Sequence, residues 1–105
     1  MIIVNTQRLV QEFHFYLGIN YLAYSQQEKE QKEQNLSKAI QALKLADKLA
    51  TTYKIATGSR ETYFFGKAYQ FSNESELAIK YLGTIDNNSP FYKEAQDLIR
   101  ELQDQ

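Results

Sequence analysis

The chain has 105 residues, 12 basic and 13 acidic side chains for a net charge of −1, and 43% hydrophobic and 24% charged residues. That length fits one domain with a modest core, the usage is that of an ordinary folded protein, and the balanced charge provides no global field to draw the chain to nucleic acid or anionic lipid. With no cysteine there is no disulfide framework, thiolate nucleophile or cysteine-ligated zinc, a composition compatible with the cytoplasm.

The N-terminal Met1-Ile2-Ile3-Val4 is too short for a signal-peptide core and is interrupted at once by Asn5-Thr6-Gln7-Arg8. Later apolar stretches are broken well before the ~20 residues a membrane-spanning helix needs. A cytoplasmic chain without membrane insertion is therefore expected. One proline and four glycines leave few turns, which predicts an all-α chain of five helices near 6–31, 35–56, 60–71, 74–84 and 90–103.

The first helix is expected to run on through Gln26–Gln34, a polar segment with Glu28/Lys32 and Lys29/Glu33 at helical ion-pair spacing. A recognition tail is the alternative reading of that segment. In the second helix Ala39, Ile40, Leu43, Ala46, Leu49, Ala50 and Tyr53 form one apolar stripe, with Lys38, Gln41, Lys44 and Lys48 on the other face. Gly58-Ser59 marks the next turn, the glycine suited to ending one helix and the serine to capping the following one. Tyr63-Phe64-Phe65 has strand propensity but sits in helix spacing with Ala68 and Tyr69, which favours helix. Asn73 and Glu76 have capping-box spacing and predict a helix start near 73. Ser89-Pro90 predicts the last start, proline being preorganised for the first helical position. Stripes at Leu77, Ala78, Tyr81, Leu82, Ile85 and at Phe91, Ala95, Leu98, Ile99, Leu102 predict that both final helices pack on neighbours.

Residues 62–90 resemble the tetratricopeptide pattern, a helix–turn–helix unit of ~34 residues. Phe65-Gly66-Lys67-Ala68-Tyr69 is similar to its Leu-Gly-x-x-Tyr core, Ala78 stands at the small position of the second helix and Pro90 at the terminal proline, while Thr62 departs from the usual aromatic start. Leu17-Gly18-Ile19-Asn20-Tyr21 repeats the core, followed by Ala39, Leu43 and Ala46 at second-helix spacing. Gly18 and Gly66 are 48 residues apart (66 − 18), beyond the ~34-residue period, so the first unit needs longer helices or a longer turn. The resemblance implies antiparallel helical hairpins: a single domain over 1–105 with an elongated first hairpin about 6–56, a second about 60–84 and a C-terminal capping helix about 90–103. Small residues would let each pair approach closely.

No catalytic constellation stands out, and the chain is expected not to be an enzyme. His14 is the single histidine, which excludes paired-histidine metal sites within one chain and points to packing or surface roles. Asp86-Asn87-Asn88-Ser89-Pro90 lacks the glycine and closing glutamate of a calcium loop and reads as a turn. Gly58-Ser59 lacks a phosphate-loop lysine. The carboxylate pairs Glu28/Glu30 and Glu74/Glu76 have no pocket in view, and helix-dipole compensation accounts for the second pair. No cofactor, metal or nucleic acid is expected.

What the resemblance implies is a protein–protein interaction module or adaptor binding a peptide or protein in a groove lined by the first helix of each hairpin. Glu12, Phe15, Ile19 and Leu22 would contribute from one repeat and Arg60, Tyr63, Lys67 and Gln70 from the next, pairing aromatic area with donors for carboxylates. Phe15, Ile19, Arg60, Tyr63, Lys67 and Gln70 are the candidate binding residues, with solvation and core packing as the equal alternative. Two hairpins are fewer than the three units arrays usually need. A structural homo-oligomer, for instance a homodimer, using Phe13, Phe15, Tyr16 and Ile19, or a regulatory fragment of a larger protein is the second reading.

Overall fold

The computed structural model describes residues 2–27 and 30–105, with side chains from residue 6 onward. Five helices follow in order: α1 (Ile2–Gln27), α2 (Lys32–Thr52), α3 (Ser59–Phe71), α4 (Ser75–Leu82) and α5 (Tyr92–Gln103). No strand occurs among the described residues, and Tyr63-Phe64-Phe65 lies within α3. The chain divides into two compact units, Met1–Ala56 and Thr57–Gln105.

In the first unit α1 and α2 run in opposite directions, because contacts step backwards along α2 as they step forwards along α1. The Gln11 Nε2 donates to the Ala46 carbonyl at 3.3 Å, Gly18 meets Leu43, and Lys38 Nζ lies 5.5 Å from the centre of the Tyr21 ring. Phe15 and Leu22 are buried, as are Ala39, Leu43, Ala46 and Ala50, whose helical spacing lines one side of α2. Alanines keep that side shallow enough for α1 to approach. The 48-residue glycine spacing is taken up mainly by helix length, since α1 and α2 have 26 and 21 residues against 13 and 8 in α3 and α4.

The polar segment is not one continuing helix. Gln26 and Gln27 close α1, Glu30 and Gln31 form a turn, and Lys32 opens α2. Reversal there folds the buried stripe of α2 back onto Leu22 and Phe15, whereas further polar helix would bury nothing. The Glu28/Lys32, Lys29/Glu33 and Glu28/Glu30 pairs each include a residue, Glu28 or Lys29, outside those described.

Two helix ends differ from expectation in an instructive way. α2 ends at Thr52, well before Gly58, and Lys54 takes the left-handed conformation at φ 53°. The Lys54 N–H donates to Thr51 O at 3.4 Å and the Ile55 N–H to Ala50 O at 2.8 Å, the paired bonds of a Schellman motif, with Ile55 buried beyond it. Gly58 instead stands before α3 in extended backbone, its N–H donating to the Glu61 carboxylate and its carbonyl accepting from Thr62 Oγ1 at 3.1 Å. Ser59 is thus the first helical residue, not the cap.

In the second unit, Asn73 ends α3 and does not cap α4. At φ 62° it occupies the left-handed position of another Schellman motif, with Asn73 N–H donating to Gln70 O at 3.0 Å and Glu74 N–H to Tyr69 O at 2.9 Å. Asparagine tolerates this conformation better than most residues. The three-residue turn Ser72–Glu74 reverses the chain, α4 begins at Ser75, and Glu76 lies in its first turn, where a carboxylate suits the helix dipole.

Asp86–Pro90 forms a turn as expected, but Pro90 stays in it and α5 opens at Tyr92, not at the proline: Ser89 N–H donates to Asp86 O at 2.9 Å, and the Ser89 hydroxyl accepts the Phe91 N–H at 3.0 Å. The Ser89 hydroxyl in turn donates to that of Ser59 at 2.7 Å. α5 then lays Ala95, Leu98 and Leu102 against Ala78, Leu82 and Ile85 to form the core of the unit, with Tyr63, Tyr69, Ile79, Tyr92 and Ile99 packed around it.

Both hairpins close on a glycine. A Cβ at Gly18 would stand 2.6 Å from Leu43 Cγ, and one at Gly66 2.8 Å from Leu82 Cγ and Cδ2. Each glycine belongs to the first helix of its pair and each leucine to the second.

Candidate partner-binding surface

Arg60, Tyr63, Lys67 and Gln70 are spaced three, seven and ten residues along α3, which places them on one helix face. Arg60 is exposed and the other three are half-buried. The Tyr63 ring stacks on Phe91 with centroids 5.4 Å apart and meets Phe64 edge-on at 5.3 Å. Burial, with the Glu94 carboxylate adding to it, pushes the Tyr63 phenol pKa above its usual 10.0. Tyr63 is thus held rigidly, one side spent on packing.

Lys67 reaches across this platform. Its Nζ lies 5.9 Å from the centre of the Tyr63 ring and 5.2 Å from that of Phe71, so two π faces hold the ammonium in place. Nearby in the helix register, Gln70 Oε1 is buried and accepts no hydrogen bond. A buried carbonyl oxygen without a donor costs ~1–3 kcal/mol, a penalty that turning the amide outward to a bound N–H would relieve.

Of the first-hairpin candidates, Phe15 is 2% and Leu22 6% exposed, so both rings and branches are committed to packing. Ile19 is half-buried and Glu12 exposed. The apolar side chains that α1 does expose are Leu9, Val10, Phe13, Tyr16 and Tyr24. Periodicity alone could not say which of the two apolar stripes of α1 faces α2. Gly18 could: Gln11, Phe15, Leu22 and Ser25 stand three, four or seven residues from it, and all four are buried. Phe71, which completes the Lys67 cage, escaped the sequence reading because it ends α3, beyond the repeat core.

His14 is half-buried, in edge contact with Phe13 at 5.4 Å, and borders a shallow groove with Leu17, Tyr21, Lys38 and Leu45. Among the described residues there is no group of three His, Asp or Glu side chains placed to hold a metal ion, and no helix is long and apolar enough to cross a membrane. The acidic turn Asn73–Glu76 borders a second open groove with Leu77 and Lys80.

The chain matches no protein-family model, no curated protein and no solved structure. Its function has to be read from these surfaces.

Proposed function

We propose that the chain is a non-enzymatic, cytoplasmic interaction module of tetratricopeptide type, and that the α3 face takes an acidic peptide segment of a partner protein. The observation that carries this reading is the buried, undonated Oε1 of Gln70 on the same helix face as Lys67 and Arg60. Once the Gln70 side chain, itself half-buried, turns its amide outward, a peptide lying along α3 offers a backbone N–H to that oxygen and carboxylates to the two cations. The ring-held Lys67 ammonium loses little freedom on binding, and bonds to charged groups are the stronger kind. The shared glycine–leucine closure of the two hairpins supports the repeat resemblance, since close helix approach is the physical content of the Leu-Gly-x-x-Tyr core.

The test is selection from a random peptide library on the immobilised chain, followed by affinity measurement on the recovered peptides. Enrichment of Asp and Glu is expected, with Lys67→Glu weakening binding at least ~10-fold, given ~1.5–3 kcal/mol for a hydrogen bond to a charged group. Lys67→Glu is preferred to Tyr63→Ala, because the stacked Tyr63 also supports the fold. Peptides without acidic enrichment, or affinities unchanged by Lys67→Glu, would refute the assignment.

A further inference from the structure

The outward side of α1 is apolar where a solvated helix face would be charged. Leu9 is 65%, Phe13 63% and Tyr16 48% exposed, at spacings of four and three residues that put them in one stripe. This stripe is opposite the one that Gln11, Phe15, Gly18 and Leu22 bury. Since an aromatic side chain can bury ~150–250 Å², these three and Val10 present on the order of 400 Å² of apolar surface. Contiguous patches of ~300–600 Å² are the size that marks interaction sites. With the exposed Arg8 and Glu12 along one edge, the contact falls at the small end of specific interfaces, the size range of dimers that form and dissociate with concentration.

The rim says what covers the patch. Arg8 and Glu12 are the only acidic or basic residues among the 26 of α1 apart from His14, and both flank the stripe along the same edge. When two copies of a helix cross antiparallel about a two-fold axis, each edge faces itself. An edge carrying one cation and one anion a turn apart is then complementary to its own image. With the axis near residues 10–11, Arg8 meets Glu12 of the partner subunit and Leu9 meets Phe13 of the partner subunit, each contact made twice. A foreign acidic or basic partner would leave one of the two charges opposed.

We infer that the chain forms a two-fold dimer through the Leu9, Phe13 and Tyr16 face of α1, registered by reciprocal Arg8–Glu12 ion pairs. This surface belongs to the first unit and the peptide-binding residues to the second, so the two readings are tested by different variants and different assays.

Sedimentation equilibrium over a range of chain concentrations tests it, with circular dichroism confirming that each variant keeps its helix content. The wild type is expected to shift from monomer to dimer with concentration. Phe13→Glu, at an exposed position, is expected to raise the dissociation constant at least ~10-fold, the effect of one well-buried contact residue. Arg8→Glu and Glu12→Arg should each weaken the dimer, and the double exchange Arg8→Glu/Glu12→Arg should restore it. A wild type that stays monomeric, a dimer indifferent to Phe13→Glu, or a double exchange no stronger than the single ones would each overturn the inference.

Discussion

Gly18→Ala sets two known effects against each other, and the structure decides the sign. Alanine is the better helix former by ~0.8–1.0 kcal/mol, so an open site would gain stability. Here the new methyl would lie 2.6 Å from Leu43 Cγ, 2.9 Å from its Cδ2 and 3.2 Å from its backbone nitrogen. Leu43 is 1% exposed and has no free space to swing into, and the close backbone nitrogen means α2 itself must shift. Overpacking of this kind costs ~1–3 kcal/mol, so a net loss of ~1–2 kcal/mol remains after the propensity gain. Urea unfolding followed by circular dichroism reads it directly. Leu43→Ala provides the control: alone it costs ~2–5 kcal/mol, but it removes the Cγ and Cδ2 clashes and leaves only the backbone contact, so in its presence Gly18→Ala should cost less, a coupling of ~1–3 kcal/mol. Gly66→Ala should be milder, because the nearest backbone atom there, Ala78 O, stands at an ordinary 3.6 Å. If Gly18→Ala stabilises the wild type by the full propensity difference, the close approach of α1 and α2 is refuted.

Three further outcomes are expected. Lys54→Gly relieves a left-handed lysine and should stabilise the chain by ~0.5–1 kcal/mol in the same assay; a loss would show that the Schellman ending of α2 is wrong. Gln70→Met removes the undonated buried oxygen and should raise stability by ~1 kcal/mol while weakening peptide binding; a destabilised variant would mean that Oε1 has a partner. The Tyr63 phenol ionises above 10.0 in the folded chain and near it when unfolded, so its contribution is intact below that pH and is lost as pH rises through the folded value. Stability measured upward from about pH 9 should therefore fall less steeply in Tyr63→Phe than in the wild type.

The helical plan was legible because alanine and leucine spacing in α2, α4 and α5 is strongly periodic, and because Gly18 and Gly66 mark where helices meet. The helix ends were less so. Gly58 suggests a left-handed ending, yet Lys54 provides it, and Asn73 suggests a helix start where it supplies a helix stop; in both cases a hydrogen-bond pattern across the turn, invisible in composition, overrides residue preference. Of the candidate surface, Arg60, Tyr63, Lys67 and Gln70 could be placed together from spacing alone. Phe15, placed among the candidate binding residues, is buried, because α1 is apolar on two sides and its spacing from Gly18, which marks the inner one, was given no weight.

The measurement closest to the functional claim is an amide-resolved NMR titration of the chain with the acidic peptide recovered on it, following the side-chain amide of Gln70 alongside the backbone. Shifts concentrated at Arg60, Tyr63, Lys67 and Gln70, with the Gln70 side chain among the largest, are predicted. Shifts confined to the groove beside His14 and Leu45, or to the acidic turn at Asn73–Glu76, would contradict it.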